Sequence, residues 1–182
     1  RSSAASDVYK RQLYGCGSSV SPVDQGLIDQ VMHIGNGSEP QGLDPHVVTG
    51  VPEHHLLITM CEGLTISNPE GGANLPGMAE SWEISEDGKT YIFNIRKDAK
   101  WSNGDDFVAD DMVWSWMRVL TPSLGSQYPD MLYYVEGAED FNTGVITDFS
   151  EVGVKAIDDK TLEVKLNNPV SYTHLTLPTI LR

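Results

Sequence analysis

The sequence predicts an α/β or α+β protein, and three observations carry that reading. "WEISEDGKTYIFNIR" and "VKAIDDKTLEVKL" alternate apolar and polar residues around an acidic turn, the period of paired strands. "VPEHHLLITMCEGL" and "ADDMVWSWMRVLTP" space their apolar residues three and four apart, the period of a helix packed on one face. Strands and helices then interleave without the regular beat of a βαβ array. The chain has 182 residues, 40% of them hydrophobic, enough for a real core.

In chain order, Val31, Met32 and Ile34 in "QVMHIGNGSEPQGLDPH" form a short apolar run. It reads as a buried strand, with Gly35-Asn36-Gly37 and Asp44-Pro45 marking a long ordered loop after it. Pro52 suits the first turn of the next helix. Leu57, Met60, Cys61 and Leu64 are expected on its inner face, with Cys61 a buried small hydrophobe and Gly63 as the stop. "NPEGGANLPGMAES" is a loop, and the first hairpin follows with Asp87-Gly88 at its turn. Tyr91, Phe93 and Ile95 share one face of its second strand. In the second long helix, Asp110 and Asp111 suit the positive end of the dipole. Val113, Met117 and Leu120 are expected to line its buried face, and Pro122 follows its end. "EDFNTG" closes a short helix, and the second hairpin turns at Asp158-Asp159.

Charge excludes one class of partner. The chain carries 12 basic and 26 acidic residues, net −14, and residues 16–170 alone carry net −17. Such a field repels phosphate backbones, so no nucleic-acid partner is expected. Two cysteines, Cys16 and Cys61, cannot make a disulfide-rich scaffold. No run of 18 apolar residues is present to span a membrane.

The two ends match nothing around them. "RSSAASDVYKRQ" (1–12) and "SYTHLTLPTILR" (171–182) read as non-native scars. Leu13-Tyr14-Gly15-Cys16 resembles a bacterial lipobox followed by a Gly/Ser tether, so residues 13–23 read as a lipobox remnant with Cys16 as the lipidation site. Tyr14 is atypical there, and a lone loop cysteine is the plainer alternative.

Chemistry-bearing motifs are sparse. There is no G-x-S-x-G, H-E-x-x-H, P-loop or C-x-x-C. His46, His54, His55 and Cys61 invite a metal reading, but adjacent histidines on a helix point about 100° apart, and no tight ligand spacing occurs. No metal and no cofactor is expected. A hydrolase using His46, His54 or Glu53 as a His-carboxylate pair has no nucleophile motif to support it. Arg96, Lys97 and Lys100 surround Trp101 just before Asn103-Gly104. A structural corner is the simplest reading, with the cations paired to Asp98, Asp105 or Asp106.

The order and wording of these elements resemble the extracytoplasmic solute-binding proteins of the peptide/nickel class, the receptors of ABC importers. The resemblance runs from about Met32 to Val170. It is most specific in "GMAESWEISEDGKTYIFNIRKDAKWSNGDDFVADDMVWSWMRVLTP", and "NGSEPQGLDPH", "CEGL" and "VKAIDDKTLEVKL" agree in order and spacing.

That resemblance implies a periplasmic-binding-protein type II-like fold, N-terminal portion only. Residues 24–62 would start lobe I, and 63–170 would form an extra α+β domain with two hairpins. It implies a peptide receptor outside the inner membrane, with short peptides and the permease subunits as partners. The receptor would sit in the periplasm or cell envelope, held to the membrane through a lipid anchor. Peptide would be gripped largely as an added strand through main-chain hydrogen bonds. Val51, in "TGVPE", would offer its backbone N–H and C=O, and Tyr128, in "GSQYPD", its ring and hydroxyl. Thr49 stands where the oligopeptide receptors carry a glutamate. Nickel, haem or sugar receptors of the same class are the alternatives. The pattern stops at "LNNPV", so the chain reads as a truncated frame, which predicts no useful peptide affinity for these 182 residues alone.

Overall fold

The structure is a computed structural model and describes residues 20–32 and 34–169. Cys16, the tether and both terminal segments lie outside the described residues. The chain divides into two units, residues 1–37 and 38–182.

The described part of the first unit is one helix, α1 (Pro22–Asp29). Ser21 caps it: its hydroxyl accepts from the Asp24 N–H at 3.1 Å and donates to the Asp24 carboxylate at 2.7 Å. The helix ends at Gln30 in the left-handed region, φ 56°. The strand expected over Val31, Met32 and Ile34 is not formed. All three residues are exposed coil. A strand must pair its backbone, and among the described residues no neighbour pairs with this run. The apolar run is a correct reading of composition and a wrong one of structure.

The second unit opens with a loop that turns at Asp44–Val48, where the N–H groups of Val47 and Val48 both reach the Asp44 carbonyl. Helix α2 (Val51–Met60) follows, with Pro52 in its first turn as expected. Its inner face differs from the expected one. Leu57 and Glu53 are buried, while Met60 is exposed. Cys61 is the half-buried C-cap, and Leu64 is buried beyond the helix. The helix stops at Met60, so the stripe through Cys61 and Leu64 never forms. Two short strands, β1 (Thr65–Ile66) and β2 (Leu75–Pro76), pair antiparallel across the expected loop.

Both hairpins form, the second turning one residue later than read, at Asp159-Lys160. β3 (Ala79–Ile84) pairs with β4 (Thr90–Ile95), and β5 (Val154–Asp158) with β6 (Thr161–Lys165). They join through β4 and β6 into one antiparallel sheet of order β3-β4-β6-β5. Gly88 takes φ 70° at the first turn, the region glycine reaches without a Cβ penalty. Period-2 alternation buries Tyr91, Phe93 and Ile95 of β4 together with Leu162 and Val164 of β6. Phe93 faces Leu162 across the ladder.

Helix α3 (Ala109–Leu120) covers that face. Met112, Trp116, Val119 and Leu120 are buried with Ala109 and Ser115, whereas Val113 and Met117 are only partly covered. The expected stripe of Val113, Met117 and Leu120 is therefore one residue out. Both stripes have spacing i, i+4, i+7, so periodicity alone cannot choose between them. A short helix, α4 (Ala138–Thr143), closes the layer. Asn142 there donates to the Leu120 carbonyl at 2.8 Å, satisfying the end of α3.

The Trp101 corner is structural, as read. The ring packs on Phe107 at 5.2 Å. Lys100 pairs with Asp106 at 2.6 Å, and Arg96 with Glu62 at 2.7 Å and Asp98 at 3.7 Å. Asp105 instead takes a hydrogen bond from the Asn103 amide at 2.7 Å.

Candidate functional site

A cavity of about 400 Å³ opens in the second unit. Four pieces build its wall: the segment before α2, α2 with its C-cap Cys61, α3 and the stretch from Ser126 to Leu132. Thr49, Val51 and Tyr128, singled out separately in the sequence, all line it. Leu57, Trp116 and Leu132 form part of its apolar wall. Val51 is 67% exposed and Tyr128 53%, so both stand at an accessible mouth.

The segment that carries Thr49 and Val51 is held by three polar ties. At its start, Glu53 Oε1 accepts the Gln41 N–H at 2.6 Å. Glu53 is 4% exposed, so this carboxylate is satisfied from inside. Gly50 leaves it room: a Cβ there would lie 1.9 Å from Glu53 Oε2.

In the middle, Arg118 of α3 grips Asp44 with both prongs, at 2.8 and 2.6 Å. The fork geometry matches a carboxylate, which makes this a directional contact. The cation lowers the Asp44 carboxyl below its ordinary range, and Asp44 in turn raises Arg118.

The third tie is His46, 4% exposed, whose Nδ1 contacts the Arg118 guanidinium and whose Nε2 lies 3.3 Å from Ser115 Oγ. A guanidinium only donates, so Nδ1 is the acceptor and the ring proton sits on Nε2, donated to Ser115. Burial lowers the imidazole to about 4, with the Arg118 charge adding to it and Asp44 partly opposing.

This geometry bears on chemistry. Ser115, His46 and Asp44 superficially echo a nucleophile, base and carboxylate. In a working triad the imidazole Nδ1–H donates to the carboxylate. Here Nδ1 faces a cation, and Ser115 is 1% exposed. The group holds a fold together and is unsuited to proton transfer. Glu53, the other carboxylate considered for a hydrolase, is bonded to the backbone. Cys61 lines the cavity, and burial raises its thiol, which keeps it a poor nucleophile. Among the described residues no group of three or more His, Cys, Asp or Glu could hold a metal ion. No described helix is long and apolar enough to cross a membrane.

Residues 75–181 match the model for the middle region of the bacterial extracellular solute-binding proteins, family 5. The chain belongs to this family. Among its family 5 relatives is the periplasmic oligopeptide-binding protein OppA of Haemophilus influenzae, 45% identical over 150 residues, 80% of this chain and 27% of that protein. The crystal structure of Haemophilus influenzae OppA in complex with RPPGFSPFR superposes with TM-score 0.71 at 44% identity, covering 79% of this chain and 29% of that one. Listeria monocytogenes OppA bound to peptide gives TM-score 0.74 at 31% identity, covering 80% and 29%. The chain thus spans under a third of the length of these relatives. The fold class read from the sequence stands.

Sequence reading of this family 5 chain missed these three ties, although it named His46 and Glu53 as candidates for other chemistry. Asp44-Pro45 reads as punctuation, and Arg118, which the structure places in the last turn of α3, carries no reading in the sequence. Their partnership spans 74 positions, and no local pattern encodes it. The one available signal was Glu53 three residues after the Gly50 N-cap, the place where a carboxylate turns back toward the helix start.

Proposed function

We propose that this chain is the N-terminal part of a peptide receptor that serves an ABC importer, capturing short peptides outside the inner membrane and delivering them to the permease. The observation that carries the reading is the convergence of Thr49, Val51 and Tyr128 on one open cavity. A largely apolar wall with a few polar groups at an accessible mouth suits a ligand held without covalent chemistry. Val51 supplies main-chain N–H and C=O to an extended peptide, and Tyr128 contributes its ring and hydroxyl. Thr49 brings no charge, which weakens preference for basic side chains. Residues 24–62 begin lobe I and 63–170 form the extra domain. Cys16 is the acylated residue that holds the receptor at the membrane in the periplasm or cell envelope.

Calorimetry of the full-length receptor against a peptide mixture tests this, with mass spectrometry of what co-purifies. Saturable binding with peptide recovered intact is expected. Cleaved peptide would make it an enzyme, and a co-purifying nickel complex, haem or sugar would move it to another branch of the family. Replacement Cys16→Ser should release the protein from membranes. Undiminished membrane association would end the lipid-anchor reading.

A further inference from the structure

We infer that Asp44, His46 and Arg118, together with Glu53, are positioning residues that lock the 41–50 segment onto α3 and α2 and so present the Thr49–Val51 backbone at the cavity. The ligand part of this inference rests on the peptide reading above. The lock itself does not.

The segment has little else to hold it. Between 41 and 50 there is no regular helix or strand, and His46 is the single buried residue. Leu43 and Val47 are exposed, at 45% and 38%. A loop with so little apolar burial opens locally at small cost unless polar contacts hold it. Here those contacts are spaced along its length. Glu53 holds Gln41 at the start. Asp44 and His46 hold the middle to two residues of α3 that lie one turn apart, Arg118 and Ser115. Gly50 ends it as the N-cap of α2, accepting the His54 N–H at 3.0 Å.

The contacts are also directional. Asp44 Oδ1 receives the His46 N–H at 3.1 Å as well as one Arg118 prong, so a single carboxylate shapes the turn and docks it. Arg118 and Asp44 do not line the cavity, while His46, Val48, Thr49, Gly50 and Val51 do. Asp44 and Arg118 therefore act on ligand only through the backbone they place. A site whose competent state is populated a fraction of the time binds more weakly by that fraction. If release of the lock leaves the segment in place one-tenth of the time, the dissociation constant rises about tenfold.

The test compares Arg118→Gln, which cannot fork, with Arg118→Lys, which keeps the charge. Val164→Ala serves as a control that loosens the sheet core elsewhere. Asp44→Asn repeats the test from the other side should Arg118→Gln fail to fold. Amide hydrogen exchange is read on the 182-residue chain, and peptide affinity on the full-length receptor. Arg118→Gln should speed exchange at His46, Val47 and Val48 by tenfold or more while the β4 and β6 amides keep their protection. Peptide affinity should fall about tenfold, with Arg118→Lys in between. Val164→Ala should lower thermal stability without either effect. Unchanged exchange at His46, Val47 and Val48 overturns the lock. An affinity loss matched by Val164→Ala overturns the positioning role. A wild-type receptor that binds no peptide defeats the peptide reading alone, and the exchange comparison still decides the lock.

Discussion

The indole Nε1–H of Trp101 donates to Asp111 Oδ2 at 2.8 Å, and the same oxygen accepts the Val108 N–H at 3.1 Å. One buried carboxylate thus ties the corner after the first hairpin to the first turn of α3. Trp101→Phe keeps the packing on Phe107 and removes the donor. It should cost about 1–3 kcal/mol in urea unfolding, the range for a buried acceptor that loses a partner. Lys100→Ala, which removes an exposed ion pair, should leave the midpoint where it is. Equal effects of the two changes would mean that the cations, and not the indole bond, hold the corner.

The lock carries a pH dependence whose sign follows from His46. Its folded value is about 4, below the ordinary 6.5. Between those values the unfolded chain binds more protons than the folded one, so stability is full above 6.5 and falls as pH drops towards 4. Asp44 is lowered from 3.8 by Arg118, so its contribution is present above 3.8 and is lost further down as the folded carboxyl protonates. Denaturant melts at steps from pH 7 to 4 should show the decline, and His46→Gln should flatten it. A wild-type slope that persists in His46→Gln would place the titrating group elsewhere.

The observed face of α3 makes a paired prediction. Met112 is 1% exposed and Trp116 3%, whereas Trp114 is 43% exposed. Met112→Ala should cost about 2–5 kcal/mol and Trp116→Ala about 3–5 kcal/mol. Trp114→Ala should cost well under half of that. Chemical denaturation of the three variants checks the rotation of the helix, and a costly Trp114→Ala with a cheap Met112→Ala would reverse it.

Gly50 is required by its neighbour and not by its own backbone, which sits at φ −83°. Gly50→Ala would drive a methyl against the Glu53 carboxylate and break its bond to Gln41. The expected loss is about 1–3 kcal/mol, with faster exchange at the Gln41 amide. The double change Gly50→Ala with Glu53→Ala should recover part of it. No coupling between the two in a double-mutant cycle would remove the contact from the account.

The sequence by itself determined what is local. Period-2 alternation around Asp87-Gly88 and Asp158-Asp159 encodes both hairpins, because a strand's two faces are written two residues apart. Pro52 and Pro122 bracket helices, because proline lacks the N–H a helix interior needs. Thr49, Val51 and Tyr128 were singled out one at a time through a family resemblance, and the fold brings them to one cavity. Tertiary structure decided the rest. Which of two equal stripes on α3 turns inward depends on the sheet beneath it and on the Trp101 bond, neither of which lies in the helix. Val31, Met32 and Ile34 are apolar enough for a strand but form none, because pairing is supplied by a partner and not by composition. The grip of Arg118 on Asp44, and the proton held on Nε2 of His46, exist only once the chain has brought residues 74 and 72 positions apart into contact. Side-chain hydrogen bonds act over about 3 Å, and nothing in a linear sequence records that distance.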